Sequence, residues 1–276
     1  MKPPTANTDW NSFARANASQ KWRKQSAAMG SDLTAAIVAA ARVQPGMHVL
    51  DIACGTGEPS ISLAALVGIG TVTGVDISPA PLRIAEERAA QRGLTNTKFQ
   101  QADAHQLPFA DDTFDRITSR LGVMFFSDLP RAFSEMRRVL KPAGTATLVS
   151  WGPMEQPYFA TTSGTVMRAL SADLPEPARK MFAFGKPGVL EQAMRQAGFA
   201  RVSEQLVTLP WTWPGSPVEL WEYFQDVAVP FAPLLKSVPE IERAQIDKAV
   251  IKEITSYFDG EKINFTATVN LTVAVK

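Results

Sequence analysis

Apolar and polar positions along the chain fall into short apolar runs separated by longer helical stretches. Val49-Leu50-Asp51-Ile52, Thr71-Val72-Thr73-Gly74-Val75-Asp76 and Thr97-Lys98-Phe99-Gln100-Gln101-Ala102 read as strands, each bounded by turn residues. Ser31 reads as the N-cap of a helix through Arg42, which Pro45-Gly46 breaks. Residues 80–92, rich in Ala, Glu and Arg, read as a helix that Gly93 ends. A helix over 128–139 follows a fourth strand ending at Ser119-Arg120, and a fifth strand covers 144–151. Strands alternating with helices predict an α/β fold with a doubly wound, mostly parallel sheet.

After Trp151 the pattern changes. Pro153, Pro157, Pro175, Pro177 and Pro187 punctuate 152–190, which reads as an insertion of short helices. A helix over 188–197, a sixth strand over 201–209, the segment Pro210-Trp211-Thr212-Trp213-Pro214 and helices near 216–228 and 239–258 follow. Strict alternation from Asn264 to Val275 predicts a long last strand. At the other end, Trp10, Phe13, Ala14, Trp22 and Met29 stand near helical spacing, so 9–29 reads as an amphipathic helix.

The first strand leads into the sequence's candidate chemistry, Asp51-Ile52-Ala53-Cys54-Gly55-Thr56-Gly57-Glu58-Pro59-Ser60. Strand, glycine turn and helix start make a nucleotide-type cradle at the C-terminal sheet edge. Gly55 and Gly57 permit positive φ and a close backbone approach, and Pro59 suits the first helical turn. Ser60 stands where a third glycine would complete G-x-G-x-x-G, and no Lys follows Gly57, so this is not a P-loop. Asp51 beside the turn disfavours pyrophosphate and suits a ligand with a positive end, unless it only accepts backbone N–H bonds of the turn. Asp76 ends the second strand about 20 residues after Gly57, the spacing of a ribose-binding carboxylate; it also suits a helix cap. Asp103, after the third strand, suits acceptance from an exocyclic amine such as that of adenine. Three successive strand-end carboxylates describe a site for an adenosine that carries no phosphate.

VLDIACGTG (49–57), VTGVDIS (72–78), QADAHQLPF (101–109), FDRITSRLGVMFFSD (114–128) and RVLKPAGTATLVSW (138–151) together resemble a class I S-adenosylmethionine-dependent methyltransferase of the UbiE/Coq5-like small-molecule group. The resemblance spans about 45–151. It implies a Rossmann-like seven-stranded sheet, mostly parallel with an antiparallel last strand, plus helical lid and insertions. It implies S-adenosylmethionine as cofactor, S-adenosylhomocysteine as product. Gly55 and Gly57 would line the methionine part with Ala53, which stands where many relatives have glycine. Asp51 would lie near the ammonium, Asp76 with Ile77 at the ribose, and Asp103 with the Ala104 N–H at the adenine. Ser119 and Arg120 would face the methionine or the substrate. The expected organisation is one domain over 1–276: a lid (1–44), a cofactor core (45–151), an insertion over the active site (152–190) and a part completing the sheet (191–276).

Methyl transfer from a sulfonium needs alignment more than acid–base help. If a base is used, His105, Tyr158, Tyr223 and Arg120 are the candidates; His48, before the first strand, reads as structural. Thr118-Ser119-Arg120 offers no carboxylate cluster, so no metal is expected. A net charge of +1 and no Asn/Asp-Pro-Pro-Tyr/Phe motif argue against nucleic acid. No run is long enough for a membrane span or shaped like a signal peptide, and lone Cys54 excludes an internal disulfide, so a cytoplasmic protein is expected. Aromatic residues of the C-terminal half suggest a small, partly apolar acceptor (quinone-like, phenolic, polyketide or amine). Two rival readings stand: a binding or regulatory protein without turnover, and an NAD-dependent oxidoreductase, which Asp51 and Ser60 disfavour.

Overall fold

The computed structural model describes residues 17–276 except residue 19. Seven strands form one sheet in the order β3-β2-β1-β4-β5-β7-β6. They are β1 (His48–Ile52), β2 (Thr71–Asp76), β3 (Thr97–Gln101), β4 (Phe114–Arg120), β5 (Leu140–Trp151), β6 (Arg201–Pro214) and β7 (Lys262–Val275). The first five run parallel and β7 pairs antiparallel with β5, as expected. The chain leaves β1 in one direction through β2 and β3, then returns to lay β4 on its other side. In open α/β sheets a reversal of this kind marks the C-terminal ends of the two strands, here β1 and β4, as the edge where ligands bind.

Covered faces explain the strand composition. Val49, Leu50 and Ile52 of β1 are all buried, so the run reads as solid rather than alternating. Ala41, Val49, Leu63, Ala64, Val67 and Val72 form one core layer against β1 and β2. Gly74 of β2 is required by packing: a Cβ there would lie 2.7 Å from the Phe99 ring and 2.9 Å from Cys54 Sγ. Cys54 is buried, and burial pushes its thiol well above the usual range, so it is a small packed side chain.

The chain divides into two compact units. One comprises 32–153, 182–207 and 268–276 and carries β1–β5. The other comprises the described residues up to 31, together with 154–181 and 208–267. It holds the short helices Pro157–Thr161, Ser163–Leu170 and Glu176–Met181, then Pro217–Val227, Ala232–Lys236 and Glu240–Thr255. Its core is aromatic. Tyr158 meets the rings of Phe159, Phe224, Trp211 and Phe265 with centroids 5.0–6.1 Å apart, and Trp213 lies 4.7 Å from Tyr223. The Trp22 and Trp221 indole N–H groups donate to Asp226 and Asp247 at 2.7 and 2.8 Å. Among the described residues no helix is long and apolar enough to cross a membrane.

Three expectations change. Ser31 does not cap its helix (Ser31–Ala41): its hydroxyl donates to Ala28 O at 2.7 Å, closing the preceding helix Arg23–Met29. β6 continues through Pro210-Trp211-Thr212-Trp213-Pro214 because it is the edge strand, where a missing proline N–H is tolerated. β5 begins earlier, at Leu140, with a register shift against β4 between Phe114 and Arg116. Trp10, Phe13 and Ala14 of the predicted first helix lie outside the described residues.

Candidate active site

The turn after β1 is built from left-handed residues. Ala53, Gly55 and Gly57 have φ of 57°, 53° and 103°. Ala53 thus holds a conformation that glycine adopts freely, and its methyl group fixes a neighbour: a Cβ on Gly122 would come within 2.5 Å of it. The two turn glycines differ. A Cβ on Gly57 would strike Ile61 Cδ1 at 2.8 Å and Ala85 Cβ at 3.1 Å, so Gly57 lets helices Ser60–Val67 and Pro79–Gln91 approach. A Cβ on Gly55 would meet nothing within 4 Å, which leaves the Gly55 backbone open to a ligand.

Asp51 is fully buried at the floor of this turn. Ser60 donates to it from its N–H at 3.1 Å and its hydroxyl at 2.5 Å, and Thr118 of β4 donates at 2.9 Å. Burial raises the Asp51 pKa from its ordinary 3.8 to about 6, against the lowering effects of these bonds and of the Arg120 charge. Asp76 binds the turn as well as its own helix: Gly55 N–H donates to Oδ2 and Ser78 N–H to Oδ1, each at 2.9 Å. Ile77 beside it is exposed. Asp103 Oδ1 accepts from the His105 N–H at 2.9 Å and from His105 Nδ1 at 2.5 Å. Ser119 Oγ is buried and without a partner at the end of β4.

The base candidates fare differently from expectation. His105 has both ring nitrogens engaged, Nδ1 with Asp103 and Nε2 accepting from the Asp128 N–H at 3.1 Å, which leaves it no nitrogen for a substrate proton. Arg120 donates from Nε to Glu58 O at 3.3 Å, and a guanidinium has no basic site. Tyr158 lies in the aromatic core of the other unit, where burial pushes its hydroxyl well above the usual range and keeps it neutral. His48 accepts no catalytic place; its ring meets Thr71 Oγ1 at 2.7 Å.

Sequence reasoning missed the struts. Arg88 reaches back to Thr56 O at 2.6 Å and to Glu58 at 3.3 Å, and Glu58 accepts from the Ser62 hydroxyl at 2.6 Å. Arg88 and Glu58 side chains are only 12% and 14% exposed, so the pair clamps the glycine turn from beneath. A helical Arg facing a loop Glu about 30 residues away carries no local signal.

Residues 49–144 match the family model described as a methyltransferase domain. Over this stretch the chain is similar to methyltransferases. An uncharacterised Mycobacterium tuberculosis protein is 43% identical over 145 residues, covering 51% of each chain. Nocamycin O-methyltransferase of Saccharothrix syringae is 28% identical over 248 residues, 81% of this chain and 83% of that one. Demethylmenaquinone methyltransferase of Staphylococcus aureus is 39% identical over 118 residues, 42% and 48% of the two chains. The chain thus spans about half the length of most curated relatives it matches. The YcgJ protein of Bacillus subtilis shares the fold of the methyltransferase domain and its surroundings: TM-score 0.58, 24% identity, 88% of this chain and 97% of that one.

The residues present fit S-adenosylmethionine. Gly55 leaves a space that a Cβ would fill, the buried Ser119 hydroxyl lacks a partner at the strand end, and carboxylates stand at three adjacent strand ends.

Proposed function

We propose that this protein transfers the methyl group of S-adenosylmethionine to a small, partly apolar metabolite by in-line displacement, without a metal. The acceptor class is quinone-like, phenolic, polyketide or amine; relatives named for nocamycin and demethylmenaquinone support a small organic acceptor. The observation that carries the reading is the pairing of an open left-handed Gly55 with a buried carboxylate that burial holds near pKa 6.

In this reading Asp51, Ala53, Gly55 and Gly57 surround the methionine portion, with Ser119 and Arg120 completing it from β4. Asp76 and Ile77 take the ribose, and Asp103 with the Ala104 N–H takes the adenine. The cofactor supplies an electrophilic methyl and a neutral thioether leaving group. The chain's part is alignment and exclusion of water, which convert a bimolecular attack into an oriented one. Ser60 and Thr118 hold Asp51 in place, and Arg88 with Glu58 hold the turn. A proton released by a hydroxyl acceptor passes to solvent or to the acceptor's own group, since neither His105 nor Tyr158 is placed to take it. The proposed location is the cytoplasm.

Thermal melts with S-adenosylmethionine, S-adenosylhomocysteine and NADH test the reading. A ligand at 100 times its dissociation constant adds about 2.7 kcal/mol. The S-adenosyl ligands should raise the midpoint and NADH should not. A rise with NADH alone, or none at all, would refute it. Turnover with a panel of small aromatic acceptors then separates an enzyme from a binding protein.

A further inference from the structure

His105 is held more completely than a bystander on a loop needs. Its N–H and Nδ1 both meet Asp103 Oδ1. Its Nε2 accepts from the Asp128 N–H, so the ring proton sits on Nδ1 and is donated to Asp103. Its carbonyl accepts from Arg131 Nε at 2.8 Å. The same loop is tied to helix Leu129–Val139 by three more bonds: Leu107 N–H donates to Glu135 at 2.8 Å, and Arg138 donates to Leu107 O at 3.0 Å and to Phe109 O at 2.7 Å. The helix start is itself fixed, since Asp128 Oδ1 accepts from the Arg131 N–H at 3.0 Å.

The consequence falls on Asp103. Both donors from His105 go to one oxygen, Oδ1; no donor among the described residues meets Oδ2, and the side chain is 37% exposed. The imidazole therefore orients the carboxylate with one oxygen bound inward and the other presented outward. The adjacent Ala104 N–H makes no hydrogen bond among the described residues. An outward acceptor next to a backbone donor is the complement of an amino-pyrimidine edge: the acceptor meets an exocyclic amine and the donor meets the neighbouring ring nitrogen.

We propose that His105 is a positioning residue that sets which nucleobase the site takes, by locking Asp103 with one oxygen outward so that adenine is preferred to its deaminated counterpart. This rests on the cofactor reading above. Hypoxanthine reverses both partners, placing a carbonyl before the carboxylate and a ring N–H before the Ala104 N–H. A site whose buried or held polar groups lose their complements rejects the analogue strongly.

Calorimetric titration with S-adenosylhomocysteine and S-inosylhomocysteine tests this on the full chain. The wild type should prefer the adenine ligand by about 100-fold, the loss of one or two charge-assisted bonds. His105→Asn keeps an amide N–H where Nδ1 stands and should keep most of the preference. His105→Gln can reach Asp128 but offers no donor at the Nδ1 position, and its preference should fall about tenfold, with affinity for the inosine ligand little changed. Equal weakening of both ligands in the two variants, or an unchanged ratio in His105→Gln, would overturn the proposal and leave His105 a plain loop tie. A wild type that binds neither ligand would overturn the cofactor reading, and this inference with it.

Discussion

Asp51→Asn offers a measurable test of the buried carboxylate. A carboxyl group whose folded pKa lies above its unfolded value binds its proton more tightly in the folded chain. Between the ordinary 3.8 and about 6, the folded state therefore carries more proton than the unfolded state, and stability falls as pH rises through that window. Each pKa unit is worth about 1.4 kcal/mol, so the rise to about 6 corresponds to about 3 kcal/mol of destabilisation, fully present above pH 6 and absent below about 4. Asparagine keeps the shape and an acceptor for Ser60, turns its amide N–H toward the Thr118 hydroxyl, which can accept it, and cannot ionise. Other carboxylates act in the opposite direction: Glu135, paired with Arg138, and Asp115, held by Lys141 and the His48 N–H, have lowered pKa values. They titrate identically in both proteins and cancel in the difference. Urea unfolding followed by tryptophan fluorescence at pH 4 to 7.5 should show the stability of Asp51→Asn gaining on the wild type by about 3 kcal/mol across the range. Parallel pH curves would refute the argument. The same variant should bind S-adenosylhomocysteine more weakly at neutral pH, and wild-type affinity should climb as pH passes about 6, because a cationic ammonium favours the ionised form.

Other substitutions separate binding from architecture. Gly57→Ala should lose about 2–4 kcal/mol of stability from strain and overpacking against Ile61 and Ala85. Gly55→Ala should lose about 1–2 kcal/mol to its φ alone yet abolish most cofactor affinity, because its Cβ enters open space; denaturation and calorimetry on both variants check the contrast. Asp76→Ala should weaken S-adenosylhomocysteine by about 2 kcal/mol, the order of a charge-assisted pair, and unchanged affinity would remove the ribose assignment. Arg120→Gln should weaken S-adenosylhomocysteine while leaving 5′-methylthioadenosine, which lacks the amino-acid end, unaffected; equal weakening of both would place Arg120 elsewhere in the site.

By itself the sequence determined where β1 and β2 end and where the glycine turn lies. Val49 to Ile52 could only be a buried strand, and Gly55 and Gly57 mark the turn, because strand burial and positive φ are set by residues a few positions apart. The alternation from Asn264 to Val275 likewise announced β7, though not its place between β5 and β6. Local pattern could not tell that Gly57 is a packing glycine while Gly55 is the open one. That depends on Ala85, which the Pro79–Gln91 helix brings alongside. Nor could it show that Asp51 is held by Thr118 from β4, that His105 is spent on Asp103 and Asp128, or that Arg88 clamps the turn. A hydrogen bond between residues tens of positions apart leaves no periodic trace. Only the packing of helices and strands onto one sheet edge decides which polar atom faces which, and so whether a side chain carries chemistry or holds the residue that does.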